Sequence, residues 1–196
     1  LIHDCDVLID FSTPASSVAA ASAAAGAGRP IVIGTTGLDA DQMALLRDAS
    51  ERTPVWYARN MSTGVSLLQR LLPEIARALA GYDIEVIEAH HRHKADAPSG
   101  TALMLAEAIL AGLPDNGEHP FVHGREGQAP RQPGEIGIHA VRGGGNSGEH
   151  TVLFASDEEE IQISHRAYSR HAFAAGAIRA ARAIHGQPPD WYGPEE

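Results

Sequence analysis

The sequence predicts an α/β fold in which a parallel sheet is followed by an α+β domain built on an antiparallel or mixed sheet. Three observations carry this reading. Short apolar runs alternate with helical segments through the first 60 residues, the pattern of βαβ units. Strand-like alternation then recurs at about 135–142, 149–155 and 159–166 with no helical pattern between. Finally, 196 residues at 43% apolar content can fill one full core or two small ones. The change of pattern sets a domain boundary near residue 60.

The elements follow in order. Residues 6–11 (DVLIDF) read as a buried strand, and Thr13-Pro14 opens an Ala-rich helix over 15–27 closed by Gly28. Residues 30–33 (PIVI) form a second strand ending at Gly34-Thr35-Thr36-Gly37. A helix over 39–52 and a third strand at 55–57 come next. Leu67, Leu68, Leu71, Leu72, Ile75 and Leu79 recur at helical spacing over 64–80, with Pro73 as a possible kink. Residues 82–89 alternate as a strand that delivers a histidine pair, and a helix spans 99–111. About 20 residues rich in Gly, Pro and Asn (114–133) read as a long functional or mobile loop. After the three strands, 170–185 forms an Ala-rich helix, and the tail reads as short and polar.

Composition excludes several classes. Formal charge is −10 and there is no basic run, which argues against nucleic acid. One cysteine, Cys5, rules out an internal disulfide and CxxC metal chemistry. No stretch reaches the roughly 20 apolar residues of a membrane span, and no signal peptide pattern opens the chain. A cytoplasmic setting fits. The chain opens beside a strand without an initiator Met, as though residues preceded it.

Chemistry concentrates in Glu88 to Ala102, EAHHRHKADAPSGTA. Adjacent histidines are most simply surface residues, and on a strand His90 and His91 face opposite sides. Lys94 strengthens a functional reading, because a lysine in a concave site is a point charge for a carboxylate. Ser99 is suited to cap the following helix. Gly100 lets a ligand approach the backbone, Thr101 adds a hydroxyl, and free N–H groups with the helix dipole favour an anion. Alone this piece is an ordinary capped helix. Together the parts describe a carboxylate site beside a general acid. Gly34-Thr35-Thr36-Gly37 and Ala58-Arg59-Asn60-Met61 follow strands at one sheet edge, which makes a cofactor crevice plausible, although no GxGxxG occurs. His139, His150, His165 and His171 lie on separate elements without a zinc-binding pattern, so no metal is expected. Arg142-Gly143-Gly144-Gly145 reads as a glycine-rich strand connection.

The 88–102 segment closely resembles the signature of the dihydrodipicolinate reductases. The likeness extends along the chain: Asp10-Phe11-Ser12-Thr13-Pro14 is similar to that family's DFTxP element, Gly34-Thr35-Thr36-Gly37 to its GTTG loop, and Ala58-Arg59-Asn60-Met61-Ser62 to its APNFS-like loop. Gly124-Arg125-Glu126-Gly127, residues 136–144 and 148–152 stand in the family's order. The resemblance implies a Rossmann-type domain, here incomplete, made of 1–60 and a C-terminal part 170–196 that returns to it, and a substrate and tetramerisation domain with a mixed sheet over 61–169. It implies reduction of a cyclic dicarboxylic imine by NADPH or NADH in diaminopimelate and lysine biosynthesis, in a homotetramer. His90 would be the general acid–base and Lys94 would assist proton donation and hold substrate charge. His91 would contact substrate, while Ser99, Gly100 and Thr101 would bind one carboxylate. Gly34, Thr35, Thr36, Ala58, Arg59, Asn60 and Met61 would lie against the cofactor.

The family's first strand and GxxGxMG phosphate loop are not among these residues, which implies a member lacking the N-terminal part of its nucleotide domain and a parallel sheet with an unpaired edge. Arg59, Met61 and Asn146-Ser147 depart from the usual residues. Two rival readings are a truncated, non-catalytic dicarboxylate-binding protein and a histidine-based metal hydrolase.

Overall fold

The computed structural model describes residues 2–114 and 118–194. It divides into two compact units: residues up to Thr63 together with those from His171 onward, and Gly64–Arg170.

The first unit holds strands β1 (Leu8–Asp10), β2 (Ile31–Ile33), β3 (Val55–Tyr57) and β9 (Trp191–Tyr192), all parallel, in the order β1-β2-β3-β9. Helix α1 (Pro14–Ala27) starts where Thr13 caps the Ser16 N–H with Pro at the first turn, and ends where Gly28 takes φ 62°. Helix α2 (Ala40–Ser50) opens on a capping box between Asp39 and Gln42. The three residues of β2 are fully buried, as a central parallel strand requires. Helix α5 (His171–Ile184) packs Ala177, Ala180 and Ile184 with Val32, Ala58 and Met61. A side chain at Gly176 would collide with the Met61 backbone, so only glycine permits this approach.

The tail departs from the sequence reading. Trp191 and Tyr192 add a strand beside β3, and Trp191 lies 5.7 Å from the Tyr57 ring with the Arg47 guanidinium 3.8 Å over its face. Two residues carry too little pattern to show as a strand, so the pairing comes from these long-range ring contacts.

The second unit holds helix α3 (Thr63–Ala78), strand β4 (Asp83–His90), helix α4 (Gly100–Gly112) and strands β5 (Phe121–His123), β6 (Ile136–Arg142), β7 (Glu149–Ala155) and β8 (Glu160–Arg166). The sheet order is β5-β6-β4-β7-β8, with β4 parallel to β6 and antiparallel to β7. It is therefore mixed. Helices α3 and α4 cover one face through Val65, Leu68, Leu72, Leu105 and Ile109, which pack on Ile84, Val86, Ile136, Ile138, Val152 and Phe154. Helix α3 runs through Pro73 without interruption.

The expected loop over 114–133, of which 115–117 lie outside the described residues, contains β5, which pairs with β6. It is also pinned by charge. Arg131 binds Glu85 and sits 2.8 Å from Asp83, and Arg125 binds the buried Glu135. His139 adds a 2.7 Å contact to Glu85. Loop composition gave no sign of this anchoring, because the acids lie on other strands.

Gly112 marks where α4 meets α3. A Cβ there would stand 2.6 Å from the Pro73 carbonyl carbon and Cα, against backbone that cannot yield. Gly112→Ala should destabilise the protein by about 1–3 kcal/mol through overpacking, despite alanine's helix preference. Urea unfolding midpoints compare the two, and an equal or higher midpoint for the variant would remove this contact as a constraint.

Candidate active site

Along β4 burial alternates, and Ile84, Val86, Glu88 and His90 all face inward. In-register neighbours share a face, so the inward row continues as Ile136, Ile138, Ala140 and Arg142 on β6, and as Phe154, Val152 and His150 on β7. Strand β8 adds Ile161, Ile163 and His165. Each strand is thus apolar at one end and polar at the other. The polar ends gather at the carboxyl end of β4.

Glu88 lies at the centre of this cluster and is 0% exposed. Arg142 Nη1 donates to Oε2 and Nη2 to Oε1, both at 2.7 Å. The Ser99 backbone N–H donates to Oε1 at 2.9 Å. His90 Nδ1 lies 2.6 Å from Oε2. Burial alone would raise the carboxyl pKa, but the Arg142, His90 and Ser99 bonds outweigh it and hold the group below its usual range. The same pairing raises Arg142.

Ser99 caps α4 through the Ala102 N–H, and its hydroxyl also meets His150 Nε2 at 3.1 Å. That hydroxyl is buried, so it faces the cap and His150 rather than an open surface. The rings of His90 and His150 meet edge to face at 5.1 Å. Gly148, at φ 146°, sits beside the His90 ring: a Cβ there would lie 3.0 Å from Nε2, so glycine keeps that nitrogen approachable. Asn146 ties the β6–β7 connection to the end of β4, with Nδ2 donating to the Ala89 carbonyl and the His91 N–H donating to the Asn146 carbonyl.

The remaining motif residues surround this cluster. His91 follows the strand half-buried, and its Nδ1 is buried without a hydrogen-bond partner. Lys94 Nζ pairs with Asp96 at 2.8 Å. Burial would raise Asp96, but the Lys94 ammonium and the Gly100 N–H together hold it low, so this carboxylate lies at the start of α4. Gly100 is exposed with open space where a Cβ would point, and Thr101 is half-buried one residue on.

The first unit places three loops at the carboxyl ends of parallel strands. Thr35 is buried, donating to Asp10 at 3.0 Å and accepting the Ser12 N–H at 2.9 Å. Ser12 and Ser17 hydroxyls also bind Asp10. A Cβ at Gly34 would meet the Phe11 ring, with Cζ at 2.7 Å, and would push that exposed ring aside. Thr36 and Arg59 are exposed, Ala58 and Met61 are buried, and the Asn60 side chain accepts the Ser62 N–H at 2.8 Å. Loops at the carboxyl ends of parallel strands are where open α/β sheets take their ligands. Among the described residues no group of three or more His, Cys, Asp or Glu side chains is placed to hold a metal ion.

Sequence reasoning missed Glu88, Arg142, Asn146, Gly148 and His150 as members of the site. For Glu88 a signal existed: it stands two residues before His90 on an alternating strand, so both share a face. The others come from strands far along the chain.

Burial first, then the charge of His90, lowers the His150 pKa from 6.5 to about 4, while Glu88 opposes and His165 and Lys94 add to the shift. Between these values the unfolded chain binds a proton that the folded chain refuses, so stability falls as pH drops through that window and is fully present above 6.5. The loss amounts to about 3 kcal/mol by the bottom of the window. His150→Gln should flatten this slope in urea titrations run at about pH 7 and about pH 5. An unchanged slope would assign the pH dependence elsewhere.

Two family models match the chain. One, described as dihydrodipicolinate reductase, N-terminus, covers residues 1–61, and the other, dihydrodipicolinate reductase, C-terminus, covers residues 64–196. A 4-hydroxy-tetrahydrodipicolinate reductase of Thermomicrobium roseum is 52% identical over 98% of this chain and 74% of that protein. The enzyme of the same name from Psychrobacter arcticus is 50% identical over 98% of this chain and 70% of that protein. A dipicolinate-bound dihydrodipicolinate reductase from Paenisporosarcina sp. TG-14 superposes with a TM-score of 0.77 at 26% identity, covering 96% of this chain and 71% of that one. The chain belongs to the dihydrodipicolinate reductase family of pyridine-nucleotide-dependent oxidoreductases.

Proposed function

We propose that this chain reduces 4-hydroxy-tetrahydrodipicolinate to tetrahydrodipicolinate with NADPH or NADH, in the cytoplasmic synthesis of diaminopimelate and lysine. The observation that carries the proposal is the shared carboxylate of Glu88. Its two oxygens hold the His90 ring and the backbone N–H of Ser99, the N-cap of α4, so a proton-transfer group and a helix N-terminus are fixed to one point.

The net reaction removes water and adds a hydride and a proton to neighbouring ring carbons. A bound dihydronicotinamide supplies the hydride, and the loops at Gly34–Thr36 and Ala58–Met61 are its proposed seat. The protein's own residues handle the proton and the charge. His90 delivers the proton from Nε2, the nitrogen that Gly148 leaves approachable. Lys94 and the start of α4 grip one substrate carboxylate, with Gly100 and Thr101 at the helix end, Ser99 fixing that end, and His91 beside it. The Asp96 carboxylate supports this reading, since it pairs with that ammonium at 2.8 Å and takes the Gly100 N–H at that helix end. Substrate carboxylate takes the place of Asp96 on Lys94.

The outward face of the second sheet bears exposed Ile87 and Val141, which supports burial against further copies in a homotetramer. Relatives at about 50% identity carry the reductase name, which weighs against a non-catalytic dicarboxylate binder.

His90→Ala should lower kcat by about 10²–10⁴-fold, the usual size of a general-acid contribution, while dipicolinate still binds. Steady-state assays with each nucleotide read this, and wild-type turnover in the variant would remove His90 from the role. Lys94→Ala should weaken dipicolinate about tenfold by calorimetry, in keeping with loss of a charge-assisted bond of roughly 1.5 kcal/mol. Equal affinity would move the carboxylate site elsewhere.

A further inference from the structure

We infer that Glu88, locked by Arg142, is the positioning residue that fixes the tautomer and direction of His90, so that Nδ1 always carries a hydrogen and Nε2 alone exchanges the catalytic proton. This rests on the reading of His90 as the general acid.

The argument is a count of donors. Four meet the carboxylate: two from the Arg142 guanidinium, one from the Ser99 backbone and one from the His90 ring, at 2.6–2.9 Å. Each oxygen takes two, which fills its lone pairs. Arg142 and the Ser99 amide are always donors. An ionised carboxylate is acceptor only, so the His90 Nδ1 facing it must donate. The ring is then anchored at one nitrogen with the other directed away from Glu88.

No neutral group fits this position. A glutamine amide presents one acceptor and one donor, and either orientation sets its NH₂ against an Arg142 N–H. One orientation also opposes the Ser99 N–H. The other opposes His90 Nδ1 and invites the ring to move its hydrogen to Nε2. Arg142 serves by geometry, because its fork matches both oxygens at once and a lysine could reach only one. Its Nη2 also donates to the Asp96 carbonyl at 2.6 Å, so the same guanidinium braces the turn that carries Lys94 and Asp96.

Nitrogen-15 NMR of histidine-labelled protein at alkaline pH, where imidazoles are neutral, reads the tautomer without turnover. Wild-type His90 should be Nδ1-protonated. In Glu88→Gln it should shift towards the Nε2-protonated form, and kcat should fall about 10²-fold with KM for substrate changed only a few-fold. Glu88→Asp, which keeps the acceptor on a shorter arm, should recover part of kcat. Should Glu88→Gln fail to fold, Arg142→Lys loosens the carboxylate without touching His90 and should give a mixed tautomer. An Nε2-protonated ring in the wild type overturns the proposal, as does an unaltered tautomer with unaltered kcat in the folded Glu88→Gln protein. His90→Gln separates the two levels: full turnover there ends the general-acid role, while the tautomer result stands or falls on its own.

Discussion

A single buried carboxylate organises the second unit. Glu88 has no contact with water, and an isolated ion so placed would neutralise or unfold its surroundings. It persists because a guanidinium, a backbone amide and an imidazole converge on it. Each comes from a different stretch of chain: Arg142 from β6, Ser99 from the start of α4 and His90 from β4 itself. Removing one partner of such a pair costs about 3–5 kcal/mol, because the other charge stays buried. The carboxylate therefore demands that the strand, its parallel neighbour and the helix end all be correctly placed, and in meeting that demand the chain builds its site.

The sheet decides where this happens. One face of β4, β6, β7 and β8 is apolar beside the amino end of β4 and polar beside its carboxyl end, while α3 and α4 bury the apolar part. The core ends where α4 begins. Its first turn needs partners for free N–H groups: Asp96 takes that of Gly100 and the Ser99 hydroxyl that of Ala102, while Glu88 holds Ser99 itself through its N–H. Helix capping and site assembly are thus one event. The histidine nearest this junction pays for its burial by staying neutral: His150, held low in pKa, meets the Ser99 hydroxyl without adding a second positive charge beside His90.

Much of this was legible in residue order, and the limits were physical. The βα alternation of the first 60 residues and the strand run after 134 are local patterns, and both sheets follow from them. The 88–102 segment carries its chemistry in one stretch, so His90, Lys94 and the Ser99 cap could be picked out directly. Arg142 was passed over because its glycine neighbours suggest only a connection. Its meaning lies in register with His90, 52 positions away, which no local window contains. The Trp191–Tyr192 strand escaped for the same reason, since its partner is β3. The loop over 114–133 was misread in kind: a glycine- and proline-rich composition describes backbone freedom, while Arg125 and Arg131 remove that freedom through acids on and beside other strands.

The proposed dianionic substrate must approach a chain of formal charge −10. Long-range potential opposes the encounter, and screening over roughly 8–10 Å at physiological salt leaves the local field in control. Within that field Glu88 and Arg142 cancel, and Lys94 and Asp96 cancel. The paired side chains leave the cluster close to neutral. In the proposed binding mode, a dicarboxylate that separated Lys94 from Asp96 would gain an ammonium and a helix end, while the exposed Asp96 would regain water at little loss. Arg142 cannot be recruited in the same way, because releasing it would strand Glu88. Of the two cations in the cluster, Lys94 pairs with an exposed acid that water can take back, and Arg142 with a buried acid that it alone can neutralise.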